Sequence, residues 1–201
     1  MDIGKNELRR LYTEGRSMLE ISEKYGCSMH KVAYWMKKYQ IPRRSRSEAN
    51  YLKYNPDGDP FKIKTNLTLE EQLLKGIGLG IYWGEGAKTN KYSLRVANTD
   101  AGIIRTFRQF LLKICGLKKG KATYSLVCFN DVNPDTARNY WSKELGILPD
   151  KFGKITIIPK QGKGTYKKKS KFGVCTIQVS NIKLRNWMMK ELKFLRNNMP
   201  C

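Results

Sequence analysis

The chain has 201 residues, enough for one medium domain or two small ones, and 40% apolar residues, enough for a packed core. Lysine and arginine number 39 against 17 acids, a net charge of +22 with a pI near 9.9, which calls for a polyanionic partner, nucleic acid ahead of a membrane. The longest apolar run, around 76–83, is too short to span a bilayer, no N-terminal signal peptide is visible, and five scattered cysteines without a CxxC pair argue against zinc or disulfides and for reduced core thiols.

These features imply a cytoplasmic protein, nucleoid-associated in a bacterial or archaeal cell. His30 is the one histidine, which excludes a Ser-His-Asp triad, a multi-histidine metal site and histidine-based nuclease motifs. Catalysis would rest on carboxylates, lysines or tyrosines.

Three short helices are expected at the N-terminus. KNELRRLYTEG puts Leu8, Leu11 and Tyr12 on one helical face. Ser17, with Glu20 three residues on, reads as a capping box for a second helix that brings Leu19, Ile21 and Tyr25 together and stops at Gly26. Ser28 caps a third helix with Val32, Trp35 and Met36 inward, and Pro42 blocks its continuation. Two short helices joined at a glycine, the second one basic, is the helix-turn-helix arrangement.

The stretch SMLEISEKYGCSMHKVAYWMKKYQIPRR resembles the resolvase-like helix-turn-helix family at Ile21, Gly26, Ser28, Val32 and Trp35, with Ser22 where alanine is usual. The resemblance implies that the first turn of the third helix faces the major groove, with Ser28, Met29, His30, Lys31 and Tyr34 as the DNA-binding candidates. Arg43, Arg44 and Arg46 then follow a phosphate backbone or minor groove. The alternative is a three-helix protein-binding module.

Residues 49–68 carry PDGDP, which reads as a turn or linker. The expected domains are 1–48, a linker over 49–68, and 69–201. The third part alternates helix and strand. A helix over 69–85 is capped by Thr68 and stopped at Gly86; strands follow at 92–98 and 122–130, helices at 101–115 and 133–147. KITIIPK and FGVCTIQVS read as strands joined by a basic loop, and NIKLRNWMMKELKFL as a closing helix. The fold class is α+β. The strands alternate so that one sheet face is apolar and the other carries Arg95, Thr176, Gln178, Lys154 and Lys160, a face suited to base edges and phosphates or to plain solvent.

Gly76, Gly80 and Gly84 recur every four residues, a stripe that lets a second helix approach closely. Glu85 stands at the tip of that helix, at the end where a carboxylate is electrostatically disfavoured. If a symmetry mate supplies the second helix, two Glu85 carboxylates meet, and paired carboxylates beside a phosphate backbone make a magnesium site.

GLGIYWGEG, residues 78–86, resembles the LAGLIDADG motif of homing endonucleases in its G-x-x-x-G-E-G form, on Gly80, Gly84, Glu85 and Gly86. The resemblance implies an α/β-saddle domain whose antiparallel strands grip double-stranded DNA, and Mg²⁺- or Mn²⁺-dependent cleavage. A single motif implies a homodimer through the 69–86 helix. Glu85 would be the metal ligand and catalytic acid, with Lys88, Lys154, Lys160 and Gln178 in supporting catalytic roles. Trp83 stands where a second acid is common. Because some proteins joining such a domain to a helix-turn-helix regulate transcription without cutting, a non-catalytic DNA-binding regulator is the alternative. A basic RNA-binding protein is a third reading, one that leaves Glu85 and the glycine stripe unexplained.

Overall fold

The computed structural model describes residues 3–159 and 170–198. The chain divides into two compact units, Met1–Pro60 and Phe61–Cys201. Among the described residues no helix is long and apolar enough to cross a membrane.

The first unit contains α1 (Lys5–Thr13), α2 (Met18–Lys24), α3 (Met29–Lys38) and α4 (Arg46–Tyr54). The reciprocal Ser17–Glu20 box starts α2, and Ser28 accepts from the Lys31 amide to start α3. Between them the chain reverses at Gly26, whose φ of 56° suits a residue without a β-carbon. The amide of Cys27 reaches back to the Ser22 carbonyl, closing the end of α2. Ile3, Leu8, Leu11, Ile21, Val32, Trp35, Met36 and Ile41 form one buried cluster. Leu19 departs from expectation and lies 51% exposed. Ser22 is tolerated in the buried layer because its hydroxyl donates to the Leu19 carbonyl at 2.7 Å.

The expected linker over 49–68 divides differently. Its first part belongs to α4, started by a second reciprocal capping box between Ser45 and Glu48. Its last part belongs to the second unit. There Phe61, Ile63 and Leu67 pack on the core, and the amides of Lys62 and Lys64 donate to the carbonyls of Cys115 and Ile114. The turn character of PDGDP survives only between these two parts.

The second unit runs α5 (Leu69–Glu85), β1 (Leu94–Asn98), α6 (Ala101–Lys113), β2 (Thr123–Phe129), α7 (Pro134–Leu145), β3 (Thr156–Ile158), β4 (Val174–Val179) and α8 (Ile182–Asn198). Thr68 and Glu71 cap α5 reciprocally, Asp100 caps α6, and Asn133 caps α7 ahead of Pro134. The sheet order is β1-β4-β2-β3. β4 pairs antiparallel with both β1 and β2, whereas β2 and β3 are parallel. The sheet is therefore mixed, in contrast to the antiparallel saddle that the motif implies. The reason is that α7 lies in the connection between β2 and β3, and a crossover of that length returns the chain in the same direction.

Leu94, Val96, Tyr124, Leu126, Cys128, Cys175, Ile177 and Val179 form the apolar sheet face, in one cluster with Tyr82, Phe107, Phe110, Trp141 and Met188 of the helices. Ile157 aligns with Cys128 on that face but is 53% exposed, because β3 is the edge strand. Cys115, Cys128 and Cys175 are buried free thiols and Cys27 is half-buried.

Acid should loosen these caps and the Glu7–Arg10 ion pair of α1. The Arg10 guanidinium beside Glu7 holds its carboxyl at about 2 against an ordinary 4.5. The N-cap amides of Ser17 and Ser45 lower Glu20 and Glu48, and the Lys64 ammonium lowers Glu71. A depressed folded-state pKa gives stability that is complete above the unfolded value and is lost as the pH falls through the folded one. The expected outcome is a thermal midpoint that is level near neutrality and declines between about pH 5 and about pH 2. Circular dichroism melts across that range check it, and a level midpoint contradicts it.

Candidate nucleic-acid interface and acidic site

The first turns of α3 present the expected side chains to solvent. Met29, His30, Lys31 and Tyr34 are all exposed, Tyr34 at 61%. Ser28 sits with them, but its hydroxyl oxygen is occupied by the cap. The Lys31 ammonium lies 5.2 Å from the centre of the Trp35 ring, which orients it without neutralising it.

Arg43 and Arg46 are exposed. Arg44 is not the free backbone contact that the sequence implies. Its guanidinium stacks 3.9 Å over the Tyr12 ring and donates to the Gly15 carbonyl at 3.0 Å, and its own amide donates to the Tyr12 hydroxyl at 2.9 Å. It ties the segment after α3 to the α1–α2 turn, leaving its two arginine neighbours outward.

In the second unit the glycines of α5 do two separate jobs. A β-carbon on Gly78 would come 2.2 Å from the Phe110 ring, so this glycine lets α5 settle on α6. One on Gly76, Gly80 or Gly84 would meet nothing within 4 Å. Those three lie with Leu69, Leu73 and Ile77 on one exposed face, Leu69 at 83% and Leu73 at 66%. No charged side chain interrupts that face, in a chain with 28% charged residues.

Glu85 ends this helix. It is exposed and, among the described residues, has no hydrogen-bond or ion-pair partner. The last turn of α5 holds no basic residue to offset it. Immediately after it the chain turns extended at Gly86, which bridges to Val96, and the Ala87 amide donates to the Arg95 carbonyl at 2.9 Å. The acid is thereby fixed beside the outer edge of β1.

The remaining expected residues are only partly brought together. Lys88 follows three residues after Glu85 and is half-buried. Arg95 is exposed on β1 and pairs in register with Gln178 on β4, so these two share the polar sheet face. Thr176 shares that face but is only 3% exposed, enclosed on the central strand between Ala97 and Ser125, and so is not presented to solvent as the alternation implies. Lys154 precedes the opposite edge strand. The order β1-β4-β2-β3 puts three strand spacings, roughly 14 Å, between that edge and β1, so Lys154 does not join Glu85. Lys160 lies outside the described residues, as does most of the basic 162–171 loop.

Among the described residues no group of three or more His, Cys, Asp or Glu side chains is placed to hold a metal ion. One chain offers the single carboxylate of Glu85. A Mg²⁺ site built on two carboxylates, with water and phosphate oxygens completing the octahedron, would fit this donor set once a second chain adds its own Glu85.

Arg185 on α8 is a further residue at this end of α5, one that no sequence motif marks. Its guanidinium donates to the carbonyls of Lys88, at 3.0 Å, and Asn90, at 3.2 Å. Nothing local marks it, since its targets lie more than ninety residues earlier. The chain matches no protein-family model, and comparison with curated proteins and with solved structures gives no match.

The two classes of glycine predict opposite mutational signs. In dilute solution Gly80→Ala should stabilise the second unit by about 0.8–1 kcal/mol, the helix-propensity gain at an open site. Gly78→Ala should destabilise it by about 1–3 kcal/mol through the contact with Phe110. Urea denaturation of both variants measures this, and a common sign would contradict the division.

Proposed function

We propose that the chain is a sequence-specific double-stranded DNA-binding protein of the LAGLIDADG homing-endonuclease type. In this reading the N-terminal unit is a helix-turn-helix that lays α3 in the major groove. Met29, His30, Lys31 and Tyr34 meet base edges, and Arg43 and Arg46 meet phosphates. The second unit pairs with a second copy through α5. The observation that carries the reading is the uncharged, outward face of that helix, running from Leu69 to Gly84 and ending at the unpartnered Glu85.

Glycines at Gly76, Gly80 and Gly84 allow two such helices to meet backbone to backbone, which brings two Glu85 carboxylates to the same end. The pair is the set that would hold Mg²⁺ or Mn²⁺, and the metal would supply activation of water and stabilisation of the leaving oxygen. Lys88 stands close enough along the chain to polarise a phosphate, Gln178 and Arg95 offer donors on the sheet, and Lys154 has no part at the acid.

A second reading is favoured by one specific observation. Among the described residues no group of three or more His, Cys, Asp or Glu side chains stands at Glu85, and Lys154 lies toward the opposite sheet edge, so the site that one chain offers is sparse. On that reading the same dimer binds DNA as a regulator and does not cut.

Cleavage of a plasmid library in Mg²⁺ and in Mn²⁺, comparing wild type with Glu85→Gln, separates the two. The nuclease reading expects cutting by wild type, a loss of at least about 100-fold in the variant, and duplex affinity within about twofold of wild type. Binding without cutting by either protein, on a target selected by that binding, favours the regulator. Equal cutting by both removes Glu85 from the chemistry.

A further inference from the structure

The chain leaving Glu85 enters a turn that is held from several sides. Ala87 is fixed to β1 through the Arg95 carbonyl, and the Tyr82 hydroxyl donates to the Ala87 carbonyl at 3.4 Å. Arg185 spans the next two anchors, its Nη2 donating to the Lys88 carbonyl at 3.0 Å and its Nε to the Asn90 carbonyl at 3.2 Å. The Asn90 side-chain oxygen then accepts from the amides of Tyr92, at 2.8 Å, and Ser93, at 3.2 Å.

This rigid turn presents cations. Thr89, Lys91 and Tyr92 are exposed and Lys88 is half-buried. Neither the Lys88 nor the Lys91 ammonium has a partner among the described residues. Fixing two lysines beside a third positive group, the guanidinium that holds them, concentrates like charge in a chain already at +22. No carboxylate of the described residues is paired with any of the three. Such an arrangement is repulsive alone and favourable against an anion, and its preformed backbone spares the anion the entropic cost of ordering the turn.

We infer that the 88–92 turn is a phosphate-backbone contact of the second unit and that Arg185 is its positioning residue. The inference rests on the duplex-DNA reading above and adds to it a site beside the acid. Lys88 and Lys91 each neutralise a phosphate, and the Tyr92 hydroxyl is available as a donor to the same strand. Arg185 spends its donors on carbonyls and acts through the lysines. A lysine at 185 keeps the charge but lacks the planar fork that spans two carbonyls.

The test is fluorescence anisotropy of the full chain on a mixed-sequence duplex of about 30 base pairs, from about 50 to about 200 mM NaCl. Lys88→Ala and Lys91→Ala should each reduce the slope of log affinity against log salt by about 0.9, the release expected for one phosphate contact. Arg185→Lys, with net charge unchanged, should weaken low-salt binding several-fold, lower the same salt slope toward that of the lysine variants, and speed hydrogen exchange at the amides of residues 88–93. A role confined to holding the fold would leave the salt slope where it was. If wild type binds duplex and both lysine variants keep its slope, the turn is not a phosphate contact. If Arg185→Lys binds as wild type does, Arg185 does not position it. If wild type has no affinity for duplex, the underlying DNA reading fails instead. Lys91 is exposed, so its variant stays informative even where an Arg185 variant folds poorly.

Discussion

Gly78 lies so near Phe110 that no other residue fits there without moving the ring. Much of the second unit follows from that contact. It lets α5 sink onto α6, seals Leu79 and Tyr82 into the core, and turns the opposite side of the helix, with Gly76, Gly80 and Gly84, to the outside. A helix carrying this many glycines is intrinsically weak, at about 1 kcal/mol each. The inner contact offsets one of them within the chain. The outer three have no such return unless something packs on them, and the proposed second copy is the occupant whose own glycines match.

Charge acts on the same elements in a second way. Many of the acids are committed locally: Glu20, Glu48 and Glu71 close capping boxes, and Glu144 and Glu191 pair with Arg105 and Lys75 between helices. The basic residues far outnumber them, 39 against 17, so the acids cannot neutralise them one for one and the excess favours a polyanion. Against that background Glu85 is placed unfavourably, at the negative end of its helix with no cation in the last turn. The proposed function gives that unfavourable placement a use.

The fold was legible wherever the signal was local. Thr68 with Glu71, Asn133 with Pro134 and the Gly26 turn are short-range devices, and the helices they bound lie where expected within a residue or two. The Ser45–Glu48 box is just as local and marks α4. PDGDP lies a few residues on, and its glycine, prolines and aspartates signal a turn more strongly than the box signals a helix. What depended on distant partners was not legible. The parallel pairing of β2 with β3, the burial of Thr176 on a central strand and the bracket from Arg185 each join segments dozens of residues apart. Alternation told which side chains share a sheet face. It did not tell which strand would be central, and so which polar residue would be enclosed.

The site divides the same way. Glu85 at the helix tip and the outward glycines were readable from spacing alone, whereas Gly78 needed Phe110 to reveal its separate role. Arg44 looked like any arginine of a basic tail until Tyr12 gave it a ring to stack on. Lys154 looked near the acid only because sequence does not state strand order.

The central claim is that the outward face of α5 is covered by a second copy, and sedimentation velocity tests it most directly. Run over a range of protein concentrations, with and without duplex DNA, wild type should reach a species of twice the chain mass of 23.3 kDa, and Gly80→Leu should not. Wild type that stays a single chain under every condition, or a leucine variant that associates equally well, would contradict the account.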